Sequence, residues 1–258
     1  MSSLRKLSFL TSSRFFLLTL LITLIFFNFL DIFLFKLSRS FPGQFFTFFK
    51  DFIDPLSDIL DPFNIILLCV LILIFNFNIK SILKNTEKCK IISSKTGFDP
   101  KKITNLFDFL SIVCKHFVYS LALAGIMCNI LKYIIGVSRP KYFFLEGYER
   151  INFFNLEHKI NSFPSGHTQA AFTLAILLII YLNRFIFYIL VIATLMGISR
   201  IFMSMHFPSD LISGAYLGAI VPIILYNAIY KEKIENIKKN CNISLKDLVR
   251  LMYWRIFI

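Results

Sequence analysis

Long apolar runs alternate with short polar segments along the whole chain. The apolar runs predict helices over six ranges: 15–35, 63–79, 104–136, 167–182, 185–200 and 208–230. A run of about 20 apolar residues is long enough to cross a bilayer, and a crossing segment must satisfy its own backbone hydrogen bonds. The pattern therefore predicts an all-α, polytopic membrane protein with six transmembrane helices. We expect a single membrane-embedded domain over residues 1–258.

The segments between these helices differ in character. Residues 36–61 combine many Phe with charged residues, and we interpret them as a segment that lies along the membrane interface. Turns at Pro55 and Pro62 are expected to end this segment. A packed connector and a substrate-guiding element fit its pattern equally well. The other predicted connections are a lysine-rich loop over 80–102, a polar loop over 141–162, a tight hairpin at 183–184 and a charged tail over 231–258.

Composition supports the membrane assignment. Hydrophobic residues make up 57% of the 258-residue chain, charged residues make up 17%, and the mean hydropathy is +0.70. A soluble domain of this size could not tolerate such a composition on its surface. The net charge of +13 does not indicate nucleic-acid binding, because the basic residues flank apolar runs and form no continuous soluble face. The five cysteines show no CxxC spacing, so we expect neither a disulfide framework nor a metal site.

The basic residues also predict an orientation. With the N-terminus in the cytoplasm, the inner segments carry 18 Lys and Arg and the outer segments carry nine. Lys and Arg are enriched in cytoplasmic loops, so this asymmetry places both termini and the 231–258 tail in the cytoplasm. The functional residues described next, within 132–210, would then face the outside.

Three polar runs interrupt the apolar pattern, at 132–140, 162–168 and 199–210. In the first, Lys132 and Arg139 lie seven residues apart and so on roughly one helical face. Pro140 should keep Arg139 out of helical geometry and leave its guanidinium at the helix mouth. Two cations aimed at one place favour an anion such as phosphate, although each alone could be an interfacial anchor.

The other two runs supply further polar groups. Ser165 can cap the helix that follows Pro164, and Gly166 leaves the free N–H groups at the helix start open to an anion. His167 lies in the same turn. In the third run Arg200 ends one helix, and Asp210 follows His206 by four residues. The carboxylate could accept the Nδ1–H of His206 and leave Nε2 free as a nucleophile, or it could serve only as a helix-dipole partner.

These runs carry a family resemblance. Written as KxxxxxxRP, PSGH and SRxxxxxHxxxD, they match all eleven fixed positions of a three-part signature in order. The chain resembles the type 2 phosphatidic acid phosphatase (PAP2) superfamily, and within it the bacterial lipid phosphatase branch. The resemblance implies a metal-independent, cofactor-free enzyme in a bacterial inner membrane, with its active site facing the periplasm.

The resemblance also implies a role for each matched residue. His206 would attack phosphorus and form a phosphohistidine, with Asp210 orienting its ring. His167 would protonate the leaving oxygen and then activate water. The residues that would hold the phosphate oxygens are Lys132, Arg139, Ser165, Gly166 and Arg200.

The implied partner is a phosphorylated lipid of the lipid A, undecaprenyl diphosphate or phosphatidylglycerol phosphate class, without nucleic acid. The loop 141–162 is the expected specificity element. Two alternatives remain open at this point. The same phosphohistidine could serve a lipid phosphotransferase, or the chain could be a non-catalytic lipid-binding or transport protein.

Overall fold

A computed structural model describes residues 7–83 and 86–256 of the chain. Within these ranges the secondary structure is helical, with one isolated β-bridge and no strand, which confirms the all-α prediction. A 3₁₀ turn, Ser8–Thr11, precedes the first long helix. The helices are α1 (Ser13–Arg39), α2 (43–59), α3 (Pro62–Leu83), α4 (Thr86–Thr96), α5 (Pro100–Ile135), α6 (Pro140–Leu145), α7 (Gly166–Leu182), α8 (Ile186–Phe202), α9 (208–240) and α10 (Leu245–Ile256).

Four stretches of the described residues are long and apolar enough to cross a membrane. They are Ser13–Arg39, Gly43–Phe77, Pro100–Ile135 and Pro208–Lys239. Helices α7 and α8 are apolar but have 17 residues each, which at 1.5 Å per residue gives about 26 Å against a hydrocarbon core of about 30 Å. The exact number of six spans therefore stays a prediction.

Two predicted connections are helical in the structure. Residues 43–59 form α2, in which a π turn, Phe49–Ile53, precedes a short α-helix that begins at Asp54. Pro55 is the second residue of this α-helix and lies within α2, so the expected turn at Pro55 was wrong. The predicted loop 80–102 contains α4. The lysines of this segment led to the prediction of a loop, but the helix has an apolar face, which includes the buried Ile92.

The described chain forms two compact units. One contains the residues up to Asn64 together with Ser120–Ile224, and the other contains Ile65–Tyr119 with the residues from Leu225 onward. The core of the first unit joins side chains of α2, α7 and α8, and the core of the second joins those of α4, α5 and α10. The single-domain organisation stays a prediction.

Two glycines of α9 allow it to approach α7 closely in the first unit. A Cβ on Gly214 would lie 2.5 Å from the carbonyl oxygen of Ser165, and one on Gly218 would lie 2.2 Å from that of Gln169. Small residues spaced by four let helix backbones pack closely. As a result, the N–H of Ser165 donates to the carbonyl of Asp210 over 3.0 Å, which joins the start of α7 to the first turn of α9.

Candidate active site

A polar cavity of about 270 Å³ opens in the first unit where α5, α7 and α8 meet the loop segments. The three polar runs predicted from the sequence all contribute to its wall. Residues that line it are Asn129, Lys132, Arg139, His158, Asn161, Gly166, His167, Arg200, Met205 and His206. The structure thus brings six of the eight predicted site residues to one cavity. Ser165 and Asp210 are fully buried and do not line it.

The chain leaves α5 through a turn that sets the position of Arg139. Gly136 has φ of +58°, and a Cβ there would lie 1.8 Å from the carbonyl oxygen of Asn152, so the site requires glycine. Arg139 is extended, with φ −70° and ψ 148°, and Pro140 begins α6 directly after it. Arg139 therefore has a non-helical backbone between α5 and α6, as predicted from the presence of Pro140 after it.

Asn161 holds both cations of the first run. Its carbonyl oxygen accepts from Lys132 Nζ at 2.5 Å, and its side-chain oxygen accepts from Arg139 Nη2 at 2.8 Å. Burial lowers the pKa of Arg139, but a guanidinium stays charged at any physiological pH. Two buried cations thus share one neutral partner, and no carboxylate of the described residues is hydrogen-bonded to either of them. This leaves an uncompensated positive charge at the cavity wall that favours an anion.

The start of α7 forms another part of the wall. Ser165 is the N-cap, and its hydroxyl oxygen accepts from the N–H and the hydroxyl of Thr168, at 3.4 and 2.9 Å. The hydroxyl only accepts in this cap, so its own hydrogen can still be donated to an anion. Ser165 is fully buried and does not line the cavity, and its role as a phosphate ligand stays a prediction. Gly166 and His167 do reach the cavity, so the first turn of α7 presents a helix N-terminus to it.

A serine that the sequence reasoning did not assign lies between His206 and Asp210. The direct distance from His206 Nδ1 to Asp210 Oδ2 is 3.5 Å, which is long for a hydrogen bond. Ser162 Oγ lies 3.3 Å from Nδ1 and donates to Asp210 Oδ2 at 2.5 Å. The backbone N–H of Phe207 donates to the same carboxylate oxygen at 2.8 Å. The predicted connection from carboxylate to imidazole therefore runs through Ser162.

This arrangement favours one tautomer of His206 and so indicates which ring nitrogen can act as a nucleophile. Because the Ser162 hydroxyl hydrogen is directed to Asp210, the hydroxyl oxygen can accept a hydrogen bond from Nδ1–H. The tautomer with its hydrogen on Nδ1 leaves Nε2 with a free lone pair. Burial, and then the charges of Lys132 and Arg139, hold the pKa of His206 well below its usual value. This lowered pKa favours the neutral imidazole, which is the form that can act as a nucleophile.

Arg200 is held by an acid from α2. The guanidinium is buried and forms an ion pair with Asp54, and its Nε donates to Ser199 Oγ at 3.2 Å. Asp54 was one of the charged residues of the predicted interfacial segment, where it had no assigned contact. Its position shows that α2 contributes to the site by orienting a cation of the cavity wall.

Backbone hydrogen bonds join the loop after α6 to the first polar run. The N–H groups of Ser138 and Arg139 donate to the carbonyls of Arg150 and Lys159, at 3.1 and 3.0 Å. His158 of this loop lines the cavity, and the charge of Arg139 is the main cause that lowers its pKa. The predicted specificity loop is thus hydrogen-bonded to two residues of the first polar run, Ser138 and Arg139.

Comparison with known proteins agrees with this site. The sequence profile of the PAP2 superfamily matches residues 114–234, which contain all three polar runs. A lipid A 1-phosphatase of Rhizobium johnstonii is 32% identical over 113 residues, which is 43% of this chain and 46% of the relative. The bacitracin transport permease protein BcrC of Bacillus licheniformis is 32% identical over 105 residues, 40% of this chain and 51% of the relative.

A lipid A 1-phosphatase of Rhizobium etli is 31% identical over 112 residues, 43% of this chain and 47% of the relative. The matched regions span about half the length of each of these curated relatives. No solved structure matches the chain significantly. The part of the chain that carries the cavity, residues 114–234, is therefore similar to the PAP2 superfamily.

Proposed function

We propose that the protein is an integral membrane lipid phosphatase that acts through a phosphohistidine. The observation that carries the proposal is the cavity itself, where three cations, a helix N-terminus and three histidines surround a space suited to a phosphate group. Enzymes accelerate phosphoryl transfer mainly by positioning the reacting groups and by stabilising the charge on the phosphoryl oxygens. A constellation of this kind supplies both.

In the proposed first half-reaction, Nε2 of His206 attacks phosphorus while the bond to the lipid oxygen breaks. His167 gives its proton to the departing oxygen, so the lipid alcohol leaves neutral. Lys132, Arg139 and Arg200 stabilise the charge on the equatorial oxygens, and the N–H of Gly166 is placed to assist them. The Ser162 and Asp210 pair stabilises the positive imidazole that forms.

In the second half-reaction, water attacks the phosphohistidine. His167, which lost its proton in the first step, takes one from this water, and the P–N bond breaks to release inorganic phosphate. Both histidines then return to their starting states. A phosphotransferase would differ only in using a lipid hydroxyl in place of water.

The names of the relatives support one class of substrate over the others. Two of them are named for a phosphatase that acts on lipid A, which supports a phosphorylated lipid as the substrate here. We place lipid A 1-phosphate first, before undecaprenyl diphosphate and phosphatidylglycerol phosphate. The relative named as a transport permease is the specific observation that favours a transport function as the second candidate. In that case the cavity would bind a phosphorylated lipid without cleaving it.

Phosphate release decides among these functions. We expect the purified full chain in detergent to release inorganic phosphate from at least one of the three lipids when that lipid is the only one present. A phosphotransferase would instead need a second acceptor lipid, and a transport protein would release no phosphate from any of them. Phosphate release from a sample of the His206→Ala variant prepared in the same way would reveal a contaminating phosphatase.

The same assay tests independence from metals. The described residues contain no group of three His, Cys, Asp or Glu side chains that could hold a metal ion, and cations of the protein occupy the cavity wall. We therefore propose that EDTA leaves the rate unchanged within about twofold. Complete loss with EDTA and recovery on addition of Mg²⁺ would contradict charge stabilisation by Lys and Arg alone.

We also propose that the cavity faces the periplasm of a bacterial inner membrane, with both termini in the cytoplasm. Single cysteines at Glu146 and Lys90, which are both exposed, test this in an otherwise cysteine-free chain. A membrane-impermeant thiol reagent should label position 146 in intact cells and position 90 only after permeabilisation. Labelling of position 90 alone in intact cells would show the opposite orientation.

A further inference from the structure

A buried ion pair lies outside the three polar runs. Asp31 of α1 is 1% exposed, and its carboxylate forms a hydrogen-bonded ion pair with Arg150 of the loop after α6. Ser209 donates to both carboxylate oxygens, through its N–H at 2.8 Å and its hydroxyl at 2.6 Å. Asp31 lies 178 residues before Ser209 in the sequence, and it also lies outside the region that matches the PAP2 profile.

Arg150 holds the residue on the other side of Pro208. Its guanidinium carbon lies 3.5 Å from the centroid of the Phe207 ring and 4.6 Å from that of Phe27. Both distances fall within the range of about 6 Å for cation–π interactions. The pair therefore restrains Phe207 through Arg150 and Ser209 through Asp31, and these two residues directly follow His206 and directly precede Asp210.

The backbone of Arg150 adds a second connection. Its carbonyl accepts from the N–H of Ser138, which directly precedes Arg139. One residue thus joins the segment that carries a phosphate-binding arginine to the segment that carries the proposed nucleophile. Burial lowers the pKa of Arg150, and the charges of Asp210 and Asp31 oppose this shift, so Arg150 also interacts electrostatically with the acid behind His206.

A role in stability alone explains this pair poorly. A buried ion pair recovers little of the free energy that its desolvation costs, and apolar residues of similar volume often stabilise a fold equally well. Neither Asp31 nor Arg150 lines the cavity, so they do not contact substrate there. Asp31 also follows directly after a π turn, Phe26–Leu30, in α1, and turns of this kind are frequent at functional sites.

We propose that Asp31 and Arg150 are positioning residues, which fix residues 207–209 so that His206 and Asp210 keep their relative geometry during phosphoryl transfer. The inference rests on the proposed function and extends it to residues beyond the family signature. Loss of the pair leaves the cavity wall intact but lets the attacking imidazole move. The rate of attack falls, while the affinity for the lipid changes little.

Single and double variants test the pair. We expect Asp31→Asn and Arg150→Met each to lower kcat by at least about tenfold while KM changes less than about threefold. The double variant should be no slower than the slower single variant, because residues that act as a unit are not additive. Arg150→Lys, which keeps the charge, should recover part of the loss. All rates refer to folded full-length protein, quantified by size-exclusion chromatography and thermal unfolding.

An unrelated ion pair provides the matched control. Lys102 and Asp247 lie 3.1 Å apart in the second unit and are partly exposed. Lys102→Met and Asp247→Asn should leave kcat within about twofold of the wild type. Variants of Asp31 and Arg150 that lower only the unfolding temperature, with wild-type kcat for the folded protein, would assign the pair a structural role and overturn the inference.

A readout without turnover separates this inference from the proposed function. Diethyl pyrocarbonate modifies accessible imidazoles, and His206 is 3% exposed while His116 in the second unit is fully buried. If residues 207–209 loosen, modification of His206 should rise several-fold in Asp31→Asn, and His116 should stay unmodified as the internal reference. Wild-type protein that releases no phosphate would refute the proposed function, whereas unchanged His206 modification in both single variants would refute the positioning role.

Discussion

Replacing His206 with alanine is expected to abolish lipid phosphate release, with a loss of at least about 10⁴-fold in kcat. The same variant should form no covalent phosphoenzyme when it is mixed with substrate and quenched rapidly. The reason is that His206 has a neutral, oriented imidazole at the cavity wall, backed by Ser162 and Asp210. Quantitative mass spectrometry of the peptide that contains residue 206 measures the intermediate directly.

Variants of neighbouring residues serve as controls for this result. His158 lines the same cavity but belongs to the loop after α6 and not to the Ser162 and Asp210 network, so His158→Ala should still form the phosphoenzyme. Asp210→Asn and Ser162→Ala should slow formation of the phosphoenzyme without preventing it, because they orient the nucleophile and do not replace it. A phosphoryl group still trapped on protein that lacks His206 would show that another residue is the nucleophile.

The sequence predicted the residues whose roles depend on local geometry. Pro140 after Arg139 and the Ser165 cap before Gly166 are features of a few consecutive residues, and the structure shows both. Steric restriction by proline and capping by serine act within one helical turn, so they can be inferred without knowledge of the fold. The convergence of the three polar runs followed from placing helix ends on one side of a membrane.

The residues that sequence reasoning missed act through contacts between distant parts of the chain. Asn161 accepts from a lysine 29 residues earlier, and Asp31 accepts from a serine 178 residues later. Asp54 was noticed only as a charge in an aromatic segment, because its partner Arg200 lies on another helix. Hydrophobic periodicity shows which face of a helix is apolar, but it does not show which polar side chains meet across helices.

The helix over 86–96 is a second case in which contacts between distant parts of the chain could not be predicted from local sequence. Most residues of this segment are polar or charged, and its apolar face is narrow. Ile92 of α4 is buried in one cluster with Leu106 of α5 and Leu251 of α10. Because tertiary packing supplies most of the stability of a helix in a protein, the local composition of α4 predicted a loop where the fold forms a helix.

A different pattern of loss is expected for His167, because its proposed role is to protonate the leaving group. His167→Ala should lower kcat on lipid phosphates by about 10² to 10⁴-fold, the usual contribution of a general acid. The same variant should keep most of its activity on p-nitrophenyl phosphate, since nitrophenolate leaves without a proton. His206→Ala should lose both activities equally, so the ratio of the two rates identifies the acid and the nucleophile separately.

A neighbouring variant controls for damage to the start of α7. The Thr168 hydroxyl donates to Ser165 Oγ at 2.9 Å and takes part in the cap, so Thr168→Val perturbs the same turn without removing an acid. Any loss in this variant should be the same for both substrates, because the helix N-terminus binds the phosphate that the substrates share. Equal loss on both substrates in His167→Ala would instead mean that His167 binds phosphate or supports the fold. The proton for the departing lipid oxygen would then have to come from another group at the cavity, and His158 is the other histidine of its wall available to supply it.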